Sequence, residues 1–155
     1  MSSPQADSAT PKLRGCTNFK LRQLTRRVSH QYDLEMAKVG LKTTQYSLLS
    51  HVVRLGPIKP GELAAHMRLD ASTLTRNLQP LVAQGWVEIG PGADARSRII
   101  RATAGGRSKR VEGQRAWKQA QLALNQRLSD ERVAQLHDLL DRCLAELDGD
   151  DDPSD

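Results

Sequence analysis

Apolar positions along this chain recur first at helical spacing, then at strand spacing, then at helical spacing again. From Asn18 they fall at Leu21, Leu24, Val28 and Tyr32, one face of an amphipathic helix reaching about residue 38. Thr17 or Asn18 suits its N-cap, and Gly40 suits the left-handed position past its end. A second helix is predicted from about Thr44 to Leu55, with Leu48, Leu49, Val52 and Val53 clustered and Gly56-Pro57 as its stop. Two short helices should follow. Pro60 fits the first turn of one, where a missing N–H is harmless, and Leu63, Ala64 and Met67 form its inner face. Arg68-Leu69-Asp70-Ala71 reads as a tight connection. Leu74, Leu78, Leu81 and Val82 then stripe the next helix, which Gly85 ends. Pro80 removes one backbone bond inside it, which predicts a kink near Arg76.

The period then changes. Trp86-Val87-Glu88-Ile89 and Arg98-Ile99-Ile100-Arg101-Ala102 are strand-like, and Gly90 to Ser97 between them is a turn-rich, basic hairpin tip. Thr103 suits the cap of a long helix reaching about Leu128, with Trp117, Ala120, Leu124 and Leu128 as its buried edge. In the last predicted helix, Ser129 to Leu147, apolar Val133, Leu136, Leu140, Cys143 and Leu147 step by 3, 4, 3 and 4. That heptad seam favours helix-on-helix packing, either between chains or on the chain's own long helix.

Composition narrows the class. The 155 residues fit one domain, and aromatic residues make up only 3%, too few for the stacking platforms that read single-stranded RNA. No apolar run approaches a membrane span, and Met1 to Pro11 lacks the apolar core of a signal peptide, so a cytoplasmic location is expected. Residues 1–12 read as a disordered arm and residues 148–155 as an acidic disordered tail. The net charge is +5, yet Glu146 to Asp155 hold six acids and no base, leaving +11 on the rest (23 bases against 12 acids). A basic body suggests a polyanionic partner. His30, His51, His66 and His137 show no ligand spacing with one another or with the cysteines, so no metal or cofactor is expected. Without a phosphate loop, a nucleophile elbow or a paired-carboxylate motif, the chain does not read as an enzyme.

The order helix, short helix, tight turn, helix and two-stranded hairpin is that of a winged helix-turn-helix: mainly α, with a small two-stranded β-wing. Its second short helix carries Ser72, Thr73, Thr75, Arg76, Asn77 and Gln79 opposite the leucine stripe. These donors and acceptors suit the base edges of a major groove, and the helix N-terminus favours a phosphate. Arg96, Arg98 and Arg101 on the hairpin suit a minor groove or a phosphate, with Asp94 placed to hold Arg96 through a charge-assisted bond. From Arg96 to Lys118 there are eight bases and one acid, Glu112, which makes a cationic rim beside the reading helix.

The stretch from Cys16 to Leu147 resembles the MarR-type bacterial transcription regulators. The matching pieces are Leu41-Lys42-Thr43-Thr44-Gln45-Tyr46, Leu69-Asp70-Ala71-Ser72-Thr73-Leu74-Thr75-Arg76, Gln84-Gly85-Trp86-Val87, Asp94-Ala95-Arg96 and Thr103-Ala104-Gly105-Gly106. Pro80 departs from that pattern. The resemblance implies a single domain over residues 13–147, with the winged helix at about 42–102 and dimerisation helices at about 18–38 and 103–147. It also implies a homodimer on a pseudo-palindromic double-stranded operator, acting as a repressor released by a small phenolic or aromatic ligand, with His30 and Tyr46 near the ligand. Regulators of the OhrR type, within this family, sense organic peroxides through a cysteine near the start of the first helix. Cys16 lies about two residues early for that role, and Tyr32 and Tyr46 fall where such proteins have tyrosines. A redox-sensing repressor using Cys16 is thus one alternative, and a non-DNA-binding interaction module on the same fold is another.

Overall fold

The computed structural model describes residues 14–94 and 96–148. The N-terminal arm and the acidic stretch after Asp148, both expected to be disordered, lie outside those residues. The chain runs α1 (Thr17–Ala37), α2 (Thr43–Leu55), α3 (Pro60–Met67), α4 (Ala71–Ala83), β1 (Val87–Pro91), β2 (Arg98–Ala102), α5 (Ala104–Leu128) and α6 (Asp130–Asp148). The two strands pair antiparallel, from Val87 opposite Ala102 to Pro91 opposite Arg98. Among the described residues no helix is long and apolar enough to cross a membrane.

The leucine stripes build the core that holds the winged segment. Leu48, Leu49 and Val52 of α2, Leu63 and Ala64 of α3, and Leu74, Leu78 and Leu81 of α4 close on Val87 and Ile100 of the hairpin. Removing a side chain as enclosed as Leu63 or Leu81 typically costs about 2–5 kcal/mol. Val82, expected in that stripe, is instead 40% exposed. Its place one residue after Leu81 turns it about 100° round the helix, away from the core. Ile58 adds a short bridge, exchanging both backbone bonds with Ile100 at 3.1 and 2.8 Å, so the wing has a third edge that periodicity did not reveal.

A second cluster ties this unit to the long helices. Met36 of α1, Leu41 of the α1–α2 turn and Ala116 of α5 are buried together, with Val39, Tyr46 and Trp86 against them. Lower on α1, the phenol of Tyr32 donates to the amide oxygen of Gln121, and its ring tilts against Trp117 at 6.2 Å. Partial burial raises the Tyr32 pKa.

The helix ends agree with the predicted signals except at α1. Its N-cap is Cys16, and no side chain closes it, so neither Thr17 nor Asn18 caps the helix. Gly40 does take the left-handed conformation, at φ +70°. Of the predicted inner face of α1, Leu24, Val28 and Tyr32 are half-buried, but Leu21 is exposed. Trp117, predicted as buried, is 38% exposed, because α5 packs through Gly113, Ala116 and Ala120 instead.

Candidate nucleic-acid interface

Helix α4 is set by what precedes it. Arg68 ends α3 in the left-handed conformation, at φ 51°, and the Leu69 N–H donates to Ala64 O at 2.9 Å. That turn delivers Asp70 to the N-cap of α4. One Asp70 oxygen accepts from the Thr73 N–H at 2.7 Å and from the Ser72 hydroxyl at 2.6 Å; the other accepts from the Thr73 hydroxyl at 2.7 Å. These bonds, the Ser72 hydroxyl first, hold the Asp70 carboxyl far below the usual carboxylate range. The phosphate expected at this helix N-terminus would meet a carboxylate, so Asp70 already fills that role.

Opposite the buried Leu74, Leu78 and Leu81, the exposed positions of α4 include Ser72, Thr75, Arg76, Asn77 and Gln79, with Thr73 half-buried beside them. Thr75 donates its hydroxyl to Ala71 O at 2.9 Å. Helix α4 continues through Pro80 with no interruption near Arg76. Pro80 has no N–H, so the Arg76 carbonyl lacks its intrahelical donor. Arg76, Asn77 and Pro80 line a polar cleft of about 130 Å³ shared with Lys42, Thr44 and Gln45 at the start of α2. The sequence pointed to Arg76 and Asn77 as DNA contacts but gave Lys42 and Thr44 only as part of the family resemblance that opens α2.

The wing tip is shaped by Asp94. Its carboxylate accepts backbone N–H groups from Ser97 at 2.7 Å and from Arg96 at 3.1 Å. Its pKa is lowered by these bonds, that of Ser97 first, with a further contribution from the positive charge of Lys59. Asp94 therefore fixes the backbone of Arg96 and not its guanidinium, as the charge-assisted bond had required. Arg96 and Arg98 are exposed, and Arg101 stands opposite Glu88 in the strand register.

The hairpin and the end of α4 are anchored on α5. The Thr103 N–H donates to Trp86 O at 3.1 Å, and the Thr103 hydroxyl donates to Gly85 O at 2.6 Å. The same hydroxyl oxygen accepts the Gly106 N–H at 3.0 Å. Lys109 lies 5.7 Å from the centre of the Trp86 ring and donates to Val39 O at 3.1 Å and to Glu112 at 2.7 Å.

The two candidate ligand residues occupy different places. His30 lines a largely apolar groove of about 350 Å³ between α1 and α5, with Leu24, Val28, Leu124 and Leu128 as its floor and Arg27 and Arg127 beside it. Tyr46 is packed into the α1–α2–α5 junction and is no part of that groove. Cys16 and Cys143 are free and exposed. Cys143 is thus no packed filler within the single chain. Among the described residues no group of His, Cys, Asp and Glu is arranged to hold a metal.

The MarR family model matches residues 39–97, the segment from the α1–α2 turn to the wing tip. Over 81 residues the chain is 26% identical to the uncharacterized HTH-type transcriptional regulator YwoH of Bacillus subtilis (strain 168). That match covers 52% of this chain and 59% of the relative, so it spans about three fifths of the relative's length. Among solved structures, a cysteine-to-serine variant of MarR from E. coli, complexed with operator DNA, is 25% identical. It superposes with a TM-score of 0.73 over 82% of this chain and 92% of that one. The M. tuberculosis transcriptional regulator MosR, in complex with DNA, is 29% identical, with a TM-score of 0.64 over 83% of this chain and 98% of that one.

Proposed function

We propose that this chain, which carries a MarR-family winged helix over residues 39–97, is a homodimeric, sequence-specific DNA-binding transcriptional repressor. The observation that carries this reading is the polar face of α4. Arg76, Asn77 and Gln79 are exposed opposite a buried leucine stripe, and Arg96 and Arg98 of the wing are exposed with them. Such a helix is the element that enters a major groove, while the wing arginines suit the adjacent backbone or minor groove. Exposed apolar side chains on the long helices support the dimer: Phe19, Leu21 and Leu34 on α1, and Leu139, Leu144 and Leu147 on α6. A two-fold dimer presents two reading helices and calls for matching half-sites.

The test is fluorescence anisotropy on duplexes carrying the promoter of the chain's own gene, titrated with salt. A dimer neutralising about 6–10 phosphates gives a log–log slope of about −5 to −9. A flat salt response, or a monomer at micromolar protein in the ultracentrifuge, would refute the reading. Release by a small aromatic acid is supported by the groove at His30, whose apolar floor and neighbouring Arg27 and Arg127 suit a ring and a carboxylate. Control by an oxidant through Cys16 is the second reading, supported by the free, exposed thiol at the N-cap of α1.

A further inference from the structure

Three hydroxyls on the reading helix have their protons committed. A carboxylate accepts and cannot donate, and so does a backbone carbonyl. Ser72 and Thr73 must therefore give their hydroxyl protons to Asp70, and Thr75 must give its proton to Ala71 O. Each hydroxyl keeps only lone pairs for an outside partner. The geometry points to Asp70 as a specificity determinant: it makes Ser72 and Thr73 acceptors only, so the N-terminal half of α4 selects amino bases over keto bases. In the major groove adenine and cytosine present an amino donor where guanine and thymine present a carbonyl oxygen. Arg76, which can only donate, has the opposite preference and favours guanine. Asp70 touches no base in this scheme. It is a positioning residue that sets the polarity of its neighbours.

The inference rests on the DNA-binding reading and can be separated from it. Asp70→Asn is the test, because asparagine caps a helix about as well as aspartate. Its amide oxygen must stay on the Thr73 N–H, which leaves the NH2 group facing the Thr73 hydroxyl. That hydroxyl then accepts from the amide and turns its own proton outward, while Ser72 keeps its acceptor. The full chain and its variants are used to select duplexes from a randomised library.

The expected result is a change at one base position per half-site, from amino to keto bases, by about tenfold in relative affinity. The preference opposite Arg76 should be unchanged. Thr73→Val should abolish the preference at that position in both the native and the Asp70→Asn background. Identical selections by the native chain and Asp70→Asn overturn the inference, as does a shift that survives in the double variant. No enrichment of any duplex by the native chain overturns the DNA-binding reading itself. A measurement needing no variant uses selected duplexes in which purine replaces adenine, or 2-pyrimidinone replaces cytosine, one position at a time. Loss of about tenfold in affinity is expected where an amino group facing the start of α4 is deleted. No loss at any position overturns the inference.

Discussion

Gly105 and Gly106 stand side by side in the first turn of α5 and should respond to alanine in opposite directions. A Cβ on Gly105 would lie 3.7 Å from the Thr103 hydroxyl and 3.9 Å from Gly85 O, ordinary contact distances. Alanine is a better helix former than glycine by about 1 kcal/mol in a helix interior and less in a first turn. Gly105→Ala should therefore stabilise by a few tenths of a kcal/mol up to about 1. A Cβ on Gly106 would overlap the carbonyl oxygen of Trp86 and crowd its carbonyl carbon at 2.8 Å. Overpacking typically costs about 1–3 kcal/mol, and the upper part of that range applies because the obstacle is backbone, which no rotamer change relieves. Trp86 O is also held by the Thr103 N–H, so moving it strains the bonds that seat the reading helix on α5. The two variants should differ by about 3 kcal/mol, roughly 6–12 °C in melting temperature for a chain of this size. Denaturant unfolding at fixed protein concentration, followed by helical circular dichroism and by the emission of Trp86 and Trp117, measures the gap. Gly106→Ala as stable as Gly105→Ala would refute the close approach and the rigid joint inferred from it.

Arg96→Ala should weaken all duplexes alike and reduce the magnitude of the dimer's salt slope by about two, one lost phosphate contact per protomer; anisotropy titrations on specific and random duplexes check this. Stability should fall with acid through Asp70 and Asp94. Both pKa values are lowered in the folded chain, so their stabilisation is present above the unfolded value near pH 4 and is lost as pH drops through the folded values. Unfolding midpoints at pH 5, 4 and 3 should decline less steeply in Asp70→Asn than in the native chain. Under the oxidant reading, organic hydroperoxide should lower operator affinity in the native chain and leave Cys16→Ser unaffected; equal sensitivity in both, or none in the native chain, removes that reading.

The elements of this fold were legible where one-faced periodicity met a stop signal. Leu74, Leu78 and Leu81 with Asp70 before them and Gly85 after them mark a helix, and the β-branched pair Ile99-Ile100 after a turn-rich stretch marks a strand. Three features were not legible, for different physical reasons. Ile58 pairs with Ile100 across 42 positions, and a single bridging residue has no periodicity to detect. Trp117 carries the most apolar surface on its helix, yet α5 packs through glycine and alanine because close approach selects small residues, a signal that hydrophobicity alone hides. Asp94 pairs with backbone amides two and three residues on, an Asx turn, so a local bond displaced the ion pair that the neighbouring arginine suggested.

The same close contacts divide α5 into two parts with different attachments. From Thr103 to Ala116 it is bonded or packed to the winged segment, through Thr103 on Gly85 and Trp86, Gly106 on Trp86, and Gly113 on Tyr46. A Cβ on Gly113 would lie 2.5 Å from the Tyr46 ring and 2.9 Å from Leu41, so this seam is as tight as a backbone allows. From Trp117 to Leu128 the helix instead faces α1, through Trp117 and Gln121 on Tyr32 and through the groove at His30. A ligand entering that groove touches only the second part. It can act on the reading helix only by favouring one arrangement of α1 against α5 over another, since an effector shifts an equilibrium no further than its difference in affinity for the two states. Gly106 would pass such a shift on without slack, because it meets the backbone of Trp86, whereas Gly113 meets the side chains of Tyr46 and Leu41, which can turn to absorb part of it.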